Sequence, residues 1–231
     1  MINSYKKGFT LIELSIVMAF LSVLLLAILL TTLQMGKIYT KGLTNRNINQ
    51  IGRDLGDSLR RDFLTASSSR IVIPSAMGSG TATSGRICLG TVSYVWNTAD
   101  LLNQPNPSAI TRGAGTPIVF ERVVDPSNRL CTVQVSGDYV SDISGMTSTS
   151  LLTGDGRSLA VYELAPTLLA SSADDGLYHI KITIGTNDPS TTERDASQSV
   201  LCKPPTDDSA DFNYCSVADF DITLRTGGEV K

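Results

Sequence analysis

Twenty consecutive residues without a charge, "LSIVMAFLSVLLLAILLTTL" from Leu14 to Leu33, constrain this chain more than any other feature in it. As a helix rising 1.5 Å per residue, the run is about 30 Å long, the thickness of one bilayer core. A fold for this chain must place that run in lipid or among other apolar helices. Its few polar residues, Ser15, Ser22, Thr31 and Thr32, can return their hydroxyl bonds to helix carbonyls, so a hydrocarbon setting costs them little. Lys6 and Lys7 hold the amino end on the cytoplasmic side, which sends everything after the run outward. No small-x-small cleavage site precedes the polar sequence, so retention in the membrane is expected rather than secretory removal. Glu13 stands at the mouth of the run. A carboxylate at the bilayer centre costs about 2.5–3.5 kcal/mol and less at the interface, so this one needs a partner. Lys7, the nearest cation, lies six residues back, which is not a helical neighbour spacing.

The stretch "GFTLIELSIVMAF" behind a short basic leader resembles the class III signal of type IV pilins and of the pseudopilins of type II secretion. Position by position, the resemblance makes Gly8 the last leader residue and Phe9 the new, N-methylated first residue. Glu13 becomes the acidic fifth mature residue. The enzyme implied is a membrane aspartic prepilin peptidase that cuts between Gly8 and Phe9 on the cytoplasmic side. Cleavage creates a cationic amine at Phe9. The Glu13 carboxylate of an incoming subunit can then pair with the amine of a neighbour already in a filament. Gly8 also has a mechanical use, since without Cβ the chain extends easily into a protease cleft.

Beyond the span, Ile48, Ile51, Leu55, Leu59 and Phe63 recur at three or four residues, with Arg46, Arg53, Asp54, Asp57, Arg60 and Arg61 mostly between them. That spacing predicts an amphipathic helix with one face to cover. Gly36 and Gly42 mark the expected place for a bend or local melting. Arg60, Arg61 and Asp62 read as a solvated face, with subunit contacts as the alternative.

From Ser67 the texture turns to Ser, Thr, Gly and β-branched residues. "SAMGSGTATSG" reads as a flexible loop. "RICLGTVSYVWN", "TPIVFERVV", "RLCTVQVSG" and "RSLAVYELA" read as strands. "LYHIKITIG" puts Tyr178, Ile180, Ile182 and Ile184 on one face, and "DFDITLR" does the same with Phe220, Ile222 and Leu224. One-sided strands need a covering layer, and the helix over 46–65 supplies it. The expected fold is α+β, a long N-terminal helix packed on an antiparallel β-sheet head, which is the pilin fold that the resemblance implies. The expected organisation is a leader over 1–8, a transmembrane and polymerisation helix over 9–33, an amphipathic spine over 34–66 and a β-rich head over 67–231.

Four cysteines, Cys88, Cys131, Cys202 and Cys215, lie far from the span with no CxxC spacing, and His179 is the single histidine in 231 residues. A zinc site is not expected. An even count in an exported head suggests two disulfides. Three pairings are open; Cys88 with Cys131 and Cys202 with Cys215 is preferred because short loops close at least entropic cost, against buried free thiols as the alternative. The segment between Cys202 and Cys215 holds Phe212 and Tyr214 as aromatic anchors and is the expected partner-facing loop, against an ordinary stapled edge loop. Its Asp207, Asp208 and Asp211 carry the oxygens that Ca²⁺ uses, but EF-hand order is missing and a solvated loop is preferred. No cofactor is expected.

A formal charge of −3 with no block of like charges gives no phosphate-tracking surface, so nucleic acid is not an expected partner of the head. "GAGT" at 113–116 and "GSG" at 78–80 lack the context of a phosphate loop, no GxSxG is present, and an enzyme is not expected. Loose patterns over about residues 50–125, "LGDSLRRDFLTASS", "VSYVW" and "IVFERVV", are similar to J-type minor pseudopilins and W-type minor pilins. Glu13 departs from the K-type tip subunits, which usually lack that acid. The resemblance implies a minor subunit of a type IV pilus or type II secretion pseudopilus, acting in an initiation or tip complex. Its implied partners are other pilin-type subunits, the prepilin peptidase and the inner-membrane assembly platform. The alternative function is a filament-tip binding module for DNA uptake or adhesion. Either way the chain is a single-pass membrane protein with its head outside the cytoplasm, later part of a filament.

Overall fold

The computed structural model describes residues 10–104, 108–113, 115–135, 137–153, 158–171, 175–204, 206 and 214–227. One helix dominates it. α1 (Leu11–Thr65) is continuous over 55 residues, passing through Gly36 and Gly42 without a break. Local melting at those glycines is therefore not observed. Each glycine weakens a helix by about 1 kcal/mol, and the uninterrupted i→i−4 ladder on either side carries the helix across.

The second half of α1 is amphipathic as its spacing predicts. Ile48, Ile51, Leu55, Leu59 and Phe63 are buried, and at about 1.5–3 kcal/mol per side chain they contribute roughly 10 kcal/mol before entropy is counted. Gly52 and Gly56 share that face. A Cβ at Gly52 would lie 2.1 Å from Cζ of Phe220, so the glycine lets the sheet come close. Gly52→Val is expected to cost about 1–3 kcal/mol through overpacking, read as a lower urea midpoint with an unchanged denaturant slope.

Among the described residues the head forms three antiparallel sheets where one was expected. The first is a meander of β1 (Met77–Ser79), β2 (Ala82–Cys88), β3 (Val92–Asn97), β4 (Phe120–Val124) and β5 (Ser148–Ser150). The second has β6 (Leu159–Ser171) and β7 (Gly176–Thr186), with β10 (Val217–Arg225) on the other side of β7. β8 (Thr192–Arg194) and β9 (Val200–Cys202) form a hairpin. A one-turn helix, α2 (Ala99–Leu102), follows β3.

α1 covers the inner faces of both larger sheets. Its apolar stripe joins Tyr178, Ile180, Ile182 and Ile184 of β7, Ile222 and Leu224 of β10, and Tyr94, Trp96 and Phe120 of the first sheet in one core. The period-2 alternation of β7 places its isoleucines inward as the sequence suggests. A second core of Val95, Ile110, Ile118, Val123, Leu130 and Ile143 fills the far side of the first sheet. There Asn97 bonds the carbonyls of Ile110 and Ile118 at 2.8 and 2.7 Å, which ties the covering loop to β3.

Two strand assignments change. "SAMGSGTATSG" is not a loop but the β1–β2 hairpin, turning where Gly80 takes φ 59°. "RLCTVQVSG" is not a strand: Arg129–Cys131 is a 3-10 turn. The buried Asp125 carboxylate holds that turn, accepting from the Arg129 and Leu130 amides at 2.9 and 3.0 Å. Asx-type bonding of this kind competes with a strand ladder.

Asp62 is not on a solvated face. Its carboxylate accepts from Arg122 Nε at 2.6 Å and Nη2 at 3.0 Å, and from the Tyr94 hydroxyl at 2.6 Å. The last turn of α1 is thereby bolted to β3 and β4. Helical periodicity could not assign this partner, which lies 60 residues away.

Candidate functional site

The first described residues already form a cap. Thr10 takes extended backbone, its hydroxyl accepts from the Glu13 amide at 3.3 Å, and Glu13 Oε2 accepts from the Thr10 amide at 2.9 Å and hydroxyl at 2.8 Å. This is a capping box. Reciprocal bonds satisfy donors that a helix N-terminus leaves orphaned, and the carboxylate sits at the positive end of the dipole. So Glu13 has a local partner that the search for a neighbouring cation missed. The signal was present as T-x-x-E in "TLIE". Both bonds fall on Oε2, and among the described residues Oε1 accepts none.

From Leu11 to Tyr39 the helix exposes its large apolar side chains on every side. It is long and apolar enough to cross a membrane. Ser22, Thr31 and Thr32 donate to the carbonyls of Met18, Ala27 and Ile28 at 2.7–2.8 Å. Those hydroxyls carry no unmet polarity into an apolar environment.

Where α1 meets the head, a clamp forms. Lys41 Nζ donates to the Cys215 carbonyl, and the Ser216 hydroxyl donates to Asn45 Oδ1. Partial burial pushes the Lys41 ammonium pKa down. Ser216 is held in turn by the β7 end, its amide donating to Thr186 Oγ1 at 3.1 Å. The exit of the apolar helix is thus fixed by the segment that follows the last cysteine.

Both disulfides join the sequence-local pairs. Cys88–Cys131 closes a separation of 43 residues and Cys202–Cys215 one of 13. On the chain-entropy model these loops contribute about 4 and about 3 kcal/mol. The first ties the end of β2 to the 3-10 turn; the second ends β9 and secures the clamp on α1. Tyr214 beside it is half-exposed, and its carbonyl accepts from Thr186 Oγ1 at 3.2 Å. Gly8, Phe9, Phe212 and the acidic Asp207, Asp208 and Asp211 lie outside the described residues. Among the described residues no cluster of His, Cys, Asp and Glu is placed to hold a metal ion. His179 stands on the outer sheet face with Nε2 3.3 Å from Asp221.

These parts form a capped carboxylate at the head of an uncovered apolar helix, and a rigid coupling of that helix to a folded head.

No curated protein and no solved structure matches the chain. A family model described as the prokaryotic N-terminal methylation motif matches residues 3–29. The motif implies processing by a prepilin peptidase and assembly with other pilin-type subunits. This chain therefore carries a prokaryotic N-terminal methylation motif on a long apolar helix, the combination that fits the prepilin-type signal of a pilin-like or pseudopilin protein.

Proposed function

We propose that the chain is a minor pilin or pseudopilin, assembled into a type IV pilus or type II secretion pseudopilus as part of an initiation or tip complex. The observation that carries this reading is the continuity of the methylation motif with the exposed apolar helix and its capped Glu13. Residues 1–8 are the leader, a prepilin peptidase cuts between Gly8 and Phe9, and Phe9 is N-methylated. Residues 9–33 anchor the chain and pack against other subunits, while 34–66 form the spine. The head over 67–231 stands outside the cytoplasm and does no catalysis.

Physical chemistry gives each part its role. While the chain waits in the membrane, the capping box satisfies one oxygen of Glu13. On assembly, Oε1 accepts from the Phe9 ammonium of a neighbouring subunit. That pair forms in a low dielectric, where charge-assisted bonds are strong and misregistered ones leave an unpaired ion. The inner-membrane assembly platform is the partner that lifts the subunit, and the clamp at Lys41 and Asn45 passes that motion to the head. The segment between Cys202 and Cys215, with Phe212 and Tyr214, faces a partner.

Gly8→Val tests the processing step. With a β-branched residue at the cut, the chain is expected to keep its leader, run about 1 kDa heavier than the mature form and stay in the inner membrane. Normal processing and normal entry into a sheared filament fraction would refute the reading.

A further inference from the structure

Between the β1–β2 hairpin, the edge of β6 and the β8–β9 hairpin lies a cleft of about 310 Å³, within the size range of small-molecule sites. A pocket of about 60 Å³ adjoins it and shares Glu163, Lys181, Arg194 and Gln198 with it. Glu163, Lys181 and Asp219 stand on the sheet face turned away from α1, because Ile180, Ile182 and Ile184 of β7 alternate with them into the core. Packing of α1 against other helices therefore leaves the cleft uncovered.

The charges around it are already spent on one another. Arg194 meets Asp100 at 2.6 Å, Lys181 meets Glu163 at 3.2 Å, and Asp219 accepts from the Thr183 hydroxyl at 2.6 Å. An anionic ligand finds both cations paired and carboxylates beside them, and a cationic one meets Arg194 and Lys181. What remains is neutral. Among the described residues, the Thr81 and Thr83 hydroxyls and the Gln198 side-chain amide line the cleft without a bond inside the chain, and each can both donate and accept. Arg194 is fixed beside them with Nη1 on the Gln198 carbonyl at 2.8 Å, and its two bonds leave further N–H donors for a ligand.

Gln198 also stands where the backbone disfavours it. It closes the β8–β9 turn in the left-handed region at φ 67°, a position that glycine or asparagine fills at lower cost. Asn128, at φ 52°, uses its side chain to bond Gly90 and Arg70. The Gln198 amide is used by nothing among the described residues. An added peptide strand is disfavoured as the occupant, because Pro166 and two register shifts interrupt the β6 edge beside the cleft.

We propose that this cleft binds a short neutral saccharide, whose hydroxyls exchange bonds with Thr81, Thr83, Gln198 and Arg194. Vicinal hydroxyls donate and accept at close, fixed spacing, which suits an amide, a guanidinium and two hydroxyls set around one cavity. On the assembly reading, upon which this site rests for its exposure, the cleft is carried outside the cytoplasm on a filament.

The test uses the full chain in a detergent without a sugar headgroup. It is titrated with maltotetraose, cellotetraose and chitotetraose as neutral probes and with hyaluronan tetrasaccharide as an anionic one. Trp96, the single tryptophan, lines the cleft, so its emission is read beside saturation-transfer NMR. Saturable binding of at least one neutral probe is expected, with the anionic probe at least about tenfold weaker. Gln198→Ala with Thr83→Val is expected to lower the affinity for that neutral probe by about tenfold without moving the urea midpoint. No binding by any neutral probe, tighter binding of the anionic one, or an unchanged affinity in the double variant overturns the inference. If no probe binds while the chain is still cut at Phe9 and recovered in sheared filaments, the assembly reading stands and this inference alone fails. If a neutral probe binds and the chain never enters filaments, the assembly reading fails and the cleft stands as a property of the head.

Discussion

Glu13→Gln is expected to leave cleavage between Gly8 and Phe9 intact while lowering the chain's recovery in sheared filaments by about tenfold or more. The substitution is chosen because it separates two roles of one side chain. Glutamine keeps an acceptor oxygen and can still close the capping box with Thr10, so helix entry is preserved. What it removes is the charge. An ion pair worth about 1.4 kcal/mol already accounts for a tenfold change in an assembly equilibrium, and a pair in hydrocarbon is worth at least that. Thr10→Ala makes the opposite cut: it costs about 1 kcal/mol of capping but leaves the carboxylate to meet a neighbour. Incorporation of that variant should fall far less. Quantifying the chain in filament and membrane fractions, beside the mass of its amino terminus, separates loss of processing from loss of assembly. Equal incorporation of Glu13→Gln and the parent would show that the charge has no partner in the filament.

A second large effect is expected at Asp62, where the spine is bolted to the first sheet. The Asp62 side chain is 12% exposed and that of Arg122 32%. Asp62→Asn removes a charge-assisted fork and leaves Arg122 facing a neutral amide, at a cost of about 3 kcal/mol. Arg122→Gln alone leaves a partly buried carboxylate with the Tyr94 hydroxyl as its remaining strong donor, and should cost a similar amount. The double variant should cost clearly less than the sum of the two, because each single change removes the same interaction. Trp96 lies in the same core, so its fluorescence reports unfolding in detergent.

The pH dependence follows in sign. Burial alone raises the Asp62 pKa, yet the Arg122 and Tyr94 hydrogen bonds and the charge of Arg122 outweigh it and hold the carboxyl below its ordinary value. A carboxyl whose folded value is depressed adds stability that is complete above its unfolded value, about 3.9. That stability is lost as pH falls through the folded value. Stability should therefore be flat in this contribution from pH 5 to 8 and should drop below about pH 4. The Asp62→Asn chain should show a shallower acid limb. Burial first, and then the bond to Asp62 and its charge, push the Tyr94 hydroxyl well above its ordinary range, so the stability this group adds is complete below its unfolded value, about 10, and falls away as pH rises beyond it.

Much of the molecule was legible along the chain because its strongest signals are local. The apolar run, the 3.6-residue recurrence from Ile48 to Phe63 and the alternation in "LYHIKITIG" each fix an element by neighbours in sequence. They gave the long helix, its buried face and the central strand. What could not be read were interactions closed by distant partners. Asp62 looks like one more charge on a helix until β3 and β4 bring Tyr94 and Arg122 to it. Division of the strands into three sheets depends on which edges meet, and a pattern of alternation does not encode that. "RLCTVQVSG" misled because its β-branched residues outweigh, by propensity, an Asp125 cap that only the folded turn reveals. At the candidate site, the methylation motif was readable as a stretch, which a family model matches over residues 3–29, while the clamp of Lys41 and Asn45 on the Cys215–Ser216 segment spans more than 170 positions and left no local trace.

Arg86 is a further case of non-local bonding. It is buried beneath the covering loops, donating to the Leu130 and Val140 carbonyls at 2.8 and 2.9 Å with its guanidinium 4.8 Å from the Tyr139 ring centroid. Burial lowers its pKa to about 10, which still leaves it charged at neutral pH. Two carbonyls and a ring face serve as its solvent, and they hold residues 130 and 140 together over the first sheet.

Amino-terminal mass spectrometry of the full chain, recovered from a host with a prepilin peptidase, tests the central claim most directly. The account predicts that residues 1–8 are absent and that the first residue is Phe9 carrying one added methyl group, with Glu13 at the fifth position of the mature chain. A terminus that retains residues 1–8, or a cut beyond Leu33 that frees the head, would contradict it.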